Sequence, residues 1–314
     1  MTIITVTTGG TVPVRTIEFL TDPVLRGYYW PGVLAGLAVA ALAAPLSVLV
    51  VLRRLAFIGQ GVSHAAFGGV GVALALGAVG MTAAAVEPGR TGIILAFCVL
   101  SAYAIAWLGE RSRVARPDTA IGIVLVASMA IGFVLHRYAA ERARAGGQPA
   151  PPGLEDVLFG GVLGVGWFDA GVAGAVAVGV LVTLAWVRRD LVFWAFEPTA
   201  AEAFGVAVAR VRNLVMILLA VAIVVGMQLA GVVLVTAMLV LPGAIALRLS
   251  ARLWGVLAWA WASAILGVGA GLVLSFELDQ QPGPMIVLAM TVMFGAASVA
   301  GGRLCGRKAI GTRH

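Results

Sequence analysis

Charge is what this chain has least of. Of its 314 residues only 11% are Asp, Glu, Lys or Arg, where an ordinary soluble domain carries about 25%. Hydrophobic residues make up 61% and the mean hydropathy is +1.05. No single core in water hides that much apolar surface, so the solvent is a bilayer. Cysteine is scarce too. Cys98 lies in an apolar run and Cys305 in the basic tail, and with no CxxC or Cys/His cluster the pattern argues against a disulfide, a redox role or structural zinc. No GxxxxGKS or GxxxxGKT phosphate loop occurs, and no segment between apolar runs is long enough for a nucleotide-binding domain, so the energy for any pumping comes from another polypeptide or an ion gradient. The carboxylates Glu110, Asp118, Asp169, Asp190 and Glu277 fall near span ends, and no Ser/His/Asp spacing supports intramembrane catalysis. The first thirty residues also lack an uninterrupted apolar h-region, so no cleavable signal is expected and the first true span acts as the insertion signal.

What is there is a series of long apolar runs. Stretches of about 17 to 23 residues near 31–52, 61–80, 91–109, 119–135, 169–187, 213–230, 231–247, 254–274 and 284–300 predict an all-α polytopic membrane protein with about nine transmembrane helices. The net charge of +7 does not point to nucleic acid, because of where the base lies. With the amino terminus outside and the carboxyl terminus cytosolic, Arg53, Arg54, Arg111, Arg113, Arg116, Arg188, Arg189, Arg210, Arg212, Arg248, Arg252, Arg303, Arg307, Lys308 and Arg313 all fall inside, as the positive-inside rule asks. Arg15, Arg26, Arg90, Arg137, Arg142 and Arg144 remain outside, three of them in the loop after the fourth span. The reading divides the chain into an interfacial segment 1–30, a transmembrane domain 31–300 with an inside loop 188–212, and a basic cytosolic tail 301–314. Glu18 to Trp30 carries charges, two tyrosines and a tryptophan that suit an interfacial helix. Leu154 to Trp167 is too short and glycine-rich to span, and Glu155 and Asp156 there read as helix-start residues. Between the sixth and seventh spans Gln228 to Val232 has almost no polar residues, which demands a tight hairpin.

Polar side chains inside the spans are few. Ser63 and His64 interrupt RRLAFIGQGVSHAAFGGVGVALALG, where Gly59, Gly61, Gly68, Gly69 and Gly71 crowd one span. Arg53 and Arg54 fix its end at a membrane surface, and His64 lies roughly 15 Å further along, near the middle of a core about 30 Å thick. An ionisable group at that depth points to a transport path or a transient metal ligand, with His64, Gln60 and Ser63 as the candidates; the plainer alternative for His64 is a ring hydrogen-bonded to neighbouring helices. Gln228, Thr236, Ser128 and Ser263 read as interhelical hydrogen-bonding groups. Pro242 is expected to kink the seventh span and Gly243 to allow close packing, while Gly267, Gly269 and Gly271 form a small-residue stripe. His136 and His314 read as solvated. In the inside loop, Glu197, Pro198 and Thr199 start a short helix through Ala201, Glu202, Ala203 and Phe204 that Gly205 ends, either a connector or a docking knob for a cytosolic partner.

Taken in order, LRRLAFIGQGVSHAAFGGVGVAL, RPDTAIGIVLVASMAIGFVL, LEDVLFGGVLGVGW, AFEPTAAEAFGV and QLAGVVLVTAMLVLPGAIALRL resemble the membrane permease of zinc- and manganese-uptake ABC transporters, the metal ABC-3 type. The resemblance implies a type II, cobalamin-importer-like permease of a prokaryotic plasma membrane that forms a dimer, two copies around one central path. It implies three further partners: a cytosolic ATP-binding subunit docked on the Glu197–Gly205 coupling helix, an extracytoplasmic metal-binding protein, and membrane lipid, with no nucleic acid. It also implies divalent metal as cargo, ATP only on the partner, and no permanently bound cofactor. One position departs from the family pattern Gly-Asp-Ala-Leu-Ser-His: the aspartate four residues before the histidine is Gln60 here. Positions 60 and 64 share a helix face, so an Asp/His pair would give an ion a carboxylate and an imidazole, whereas Gln60 gives a neutral carbonyl. A siderophore, haem or cobalamin permease is the nearest rival reading. A secondary transporter would show an inverted repeat and intramembrane carboxylates, and a membrane scaffold leaves His64 unexplained.

Overall fold

The computed structural model describes residues 23–76, 88–111, 117–147, 160, 165–196, 201 and 204–310. These form ten helices: α1 Pro23–Leu52, α2 Ala56–Ala75, α3 Pro88–Arg111, α4 Pro117–Ala145, α5 Trp167–Trp186, α6 Arg188–Phe196, α7 Val208–Met238, α8 Leu241–Leu249, α9 Leu253–Leu278 and α10 Pro282–Ile310. Seven stretches among the described residues are long and apolar enough to cross a membrane. The longest, Val208–Leu249, has 42 residues, about twice what one crossing needs. It folds back at Gly231, whose φ of 80° and ψ of 162° only glycine adopts freely. With that stretch counted as two limbs and α3, whose apolar part is Gly89–Ile105, included, the helices agree with a fold of about nine spans.

Several helix ends close the same way. Arg54 and Asp279 take the left-handed conformation that glycine usually supplies, and Leu55 N–H donates to Val50 O at 2.8 Å and Gln280 N–H to Ser275 O at 3.1 Å. These are the long-range bonds of a Schellman cap, so α1 and α9 stop sharply and the chain reverses. Pro242 sits in the first turn of α8, which starts after a break at Leu239 and Val240, so the expected kink is a full interruption.

The limb of α7 from Leu218 to Gly231 is almost wholly buried, and α7 as a whole packs against α1, α2, α3, α5 and α10. Around it, α2 lies against α3 and α4, and α9 against α1, α8 and α10. Glycine sets these distances. A Cβ on Gly271 would strike the Ile286 backbone, one on Gly267 would strike Met290, and one on Gly243 would strike the Ser47 carbonyl, whereas one on Gly269 would meet nothing within 4 Å. Gly269 is therefore not part of the contact stripe: two residues from Gly267, it points some 200° around the helix. The hydroxyls also depart from expectation. Thr236 donates to Val233 O and Ser263 to Ala260 O, each within its own helix, while Thr91 donates to Gln228 Oε1 at 3.1 Å and joins α3 to α7. Trp261 Nε1 donates to Ala41 O at 2.9 Å, a helix-to-helix bond that the polar pattern did not announce.

Residues Pro23 to Trp30 run without a break into the first span, and Tyr29 packs edge-on against Phe276 at 5.5 Å. Glu18 to Asp22 lie outside the described residues, as do Glu155 and Asp156.

Candidate functional site

Helix α2 is where small residues and polar residues coincide, and the structure separates their roles. A Cβ on Gly61 would sit 3.0 Å from Ile121, one on Gly68 2.7 Å from Ser128 O, and one on Gly71 2.8 Å from Gly132 O, all on α4. One on Gly69 would sit 3.0 Å from Ile94 Cα on α3. These glycines let α2 approach two neighbours almost backbone to backbone, and Phe67 fills the space over Gly132 while its ring meets Phe133 at 5.1 Å. Gly61, Gly68, Gly69 and Gly71 thus serve helix packing.

Ser63 is packed inward too. It is fully buried, and its hydroxyl donates to Gly59 O at 2.8 Å, the back-bond that serine makes inside a helix when no outside partner is offered. It points away from His64: adjacent residues on a helix point about 100° apart, and Ser63 turns inward. Cys98 comes from α3 to the same side, its Sγ 3.8 Å from Val62 O.

The end of α2 nearer Arg53 is more open. Phe57 is 63% exposed, Gln60 is exposed and His64 is half-buried. Their spacing of three and four residues makes one stripe along the helix. His64 Nδ1 is buried without a hydrogen-bond partner, so the satisfied-ring alternative lacks its acceptor or donor at that nitrogen. Gln60 and His64 are therefore brought to one face, as their spacing predicted. Among the described residues no three His, Cys, Asp or Glu side chains converge on a metal-sized site. One protomer offers this face one imidazole and one amide.

The second candidate lies between α6 and α7. Glu197, Pro198, Glu202 and Ala203 fall outside the described residues. Ala201 is fully buried, Phe204 is 76% exposed, and Gly205 has φ +79°. Val206 N–H donates to Ala201 O at 3.0 Å, and Gly205 between them takes the left-handed conformation common at helix ends. Phe204 also meets Phe193 of α6, ring to ring at 6.1 Å. Helix α6 itself was not foreseen. Its Leu191, Trp194 and Ala195 are buried, and the three-residue apolar spacing of RRDLVFWAF is the signal that could have found it. Trp194 carries the Arg53 guanidinium over its ring at 4.6 Å, a cation–π contact that ties this segment to the start of α2.

Comparison with known proteins adds the wider frame. A model of the ABC 3 transport family matches residues 27–301. The manganese transport system membrane protein MntC of Halalkalibacterium halodurans is 32% identical over 282 residues, which span 90% of this chain and 90% of that protein. The high-affinity zinc uptake system membrane protein ZnuB of Haemophilus influenzae is 28% identical, over 84% of this chain and 94% of its own. Among solved structures, PsaBC from Streptococcus pneumoniae in complex with Fab superimposes with a TM-score of 0.74 at 24% identity, covering 90% of this chain and 93% of that one. That likeness supports the helical architecture.

Proposed function

Since the chain belongs to the ABC 3 transport family, we propose that it is the permease subunit of an ATP-binding-cassette importer that moves divalent metal, zinc or manganese, into a prokaryotic cell. Manganese and zinc are the cargoes named for its relatives. ATP hydrolysis resides in a separate cytosolic subunit docked at the 188–212 loop, and an extracytoplasmic metal-binding protein delivers the ion. The amino terminus lies outside and the carboxyl terminus inside, as the arginine distribution favours.

The observation that carries this reading is the Phe57, Gln60 and His64 stripe. A glutamine and a histidine facing hydrocarbon at this depth would be costly, so the stripe faces protein or water. A second copy of the chain placed against it would bring two imidazoles and two amides to one axis. Such a set of nitrogen and neutral oxygen donors suits a borderline divalent ion. With no carboxylate in it, the site holds the ion weakly, and the ion leaves it readily. The experiment is the metal content of cells with and without the gene. Zinc or manganese should fall on deletion and return with the gene; unchanged metal with lost haem, siderophore or cobalamin uptake would favour the chelate reading instead.

A further inference from the structure

A cavity of about 550 Å³ opens at the arginine-bearing end of the bundle, between the starts of α2 and α7, the second half of α3, and α6. Arg53, Tyr103, Trp107, Trp194, Arg212 and Asn213 line it among apolar side chains, and no carboxylate does. Ile58 faces it, but Phe57, Gln60 and His64 do not, so it is separate from the proposed path.

Two donors in its wall are unmet, and the Asn213 amide, a neutral acceptor there, meets neither. Arg53 Nε and the Trp194 indole N–H are buried without hydrogen-bond partners, and Trp194 is only 2% exposed. The cation–π contact between them satisfies charge but accepts neither N–H. Buried unpaired donors are costly, and two on one wall call for an anionic oxygen. The other end of the cavity tells which anion. Val99 lines it 12 residues before Arg111 at the end of α3, about 18 Å along the helix and well inside the hydrocarbon. Tyr103 is 68% and Ile217 48% exposed there. A soluble anion gains nothing from that apolar wall, and a cytosolic protein does not reach it.

We propose that this cavity seats one anionic phospholipid. Its phosphate accepts from Arg53 and Trp194, Arg212 adds positive charge, and an acyl chain lies along Val99, Tyr103 and Ile217. Basic pockets between helices on the cytosolic side are where such headgroups bind. The seat needs only the membrane fold, so its test is independent of the transported cargo.

The test is native mass spectrometry of the full chain in mild detergent, titrated with phosphatidylglycerol or phosphatidylcholine. One phosphatidylglycerol per chain should be retained in preference to phosphatidylcholine. Arg53→Gln should weaken retention about tenfold, the scale of a lost charge-assisted hydrogen bond. Trp194→Phe keeps the ring and its packing but removes the N–H, and should weaken retention several-fold. Arg54→Gln, changing the exposed neighbour, should leave it intact, and soluble glycerol phosphate should not displace the lipid. Equal retention of both lipids, unchanged retention in either Arg53→Gln or Trp194→Phe, equal loss in Arg54→Gln, or displacement by glycerol phosphate would each overturn the proposal.

Discussion

Gly226 and Val235 touch: a Cβ on Gly226 would lie 2.6 Å from Val235 Cγ2, although a continuous helix would hold these positions about 13 Å apart. The contact is the proof of the hairpin at Gly231, and Gly160 packs against the same turn.

Gly231→Ala should therefore lower the apparent melting temperature of the detergent-purified protein by several degrees, since holding alanine at that φ and ψ costs on the order of 1–3 kcal/mol. Gly226→Leu should do so more severely. Gly269→Ala, in open space, should leave the melting temperature unchanged or slightly raised. Equal behaviour of Gly231→Ala and Gly269→Ala would contradict the hairpin.

The sequence showed the spans because length and apolarity report directly on a bilayer, and it showed the hairpin because Gln228 to Val232 left no room for a polar loop. It hid the division of labour within α2. Gly61, Gly68, Gly69 and Gly71 serve contacts with α3 and α4, and which side a glycine faces depends on neighbours that are remote in sequence. Gln60 and His64 were legible as a pair through helical spacing, whereas the inward turn of Ser63 was not, because adjacency in sequence is not adjacency on a helix. The Arg53–Trp194 contact joins residues from distant segments, and no local pattern reveals such a pairing.

Topology gives a second prediction. Cys98 is fully buried and should resist thiol reagents in the native protein. Cys305, in the basic tail, should react with a membrane-impermeant maleimide only after the cytosolic face is opened. Labelling of Cys305 in intact cells would invert the proposed orientation.

Coupling to the ATPase gives a third. Phe204 is the large exposed apolar residue beside the Gly205 turn. Phe204→Asp, and Ala203→Asp next to it, should weaken co-purification of the ATP-binding subunit by about tenfold or more while the amount of permease in the membrane stays the same, because an unpaired charge is placed in an apolar contact. Normal co-purification and normal uptake in both would make this loop a connector.

Gln60→Asp probes the donor set itself. A carboxylate one turn from His64 should tighten divalent-metal binding to the purified permease and slow its release. If the face is simply packed against other helices, the same substitution buries an unpaired charge and lowers stability without any gain in metal affinity.

The central claim is that His64 meets the ion in transit. The direct measurement is uptake of radioactive zinc or manganese by cells expressing His64→Ala at a membrane level matched to the wild type. Uptake should fall by at least about tenfold, the effect of removing a ligand that contributes on the order of 1.4 kcal/mol or more. Uptake equal to the wild type would show that this histidine is a packing residue and that the path lies elsewhere.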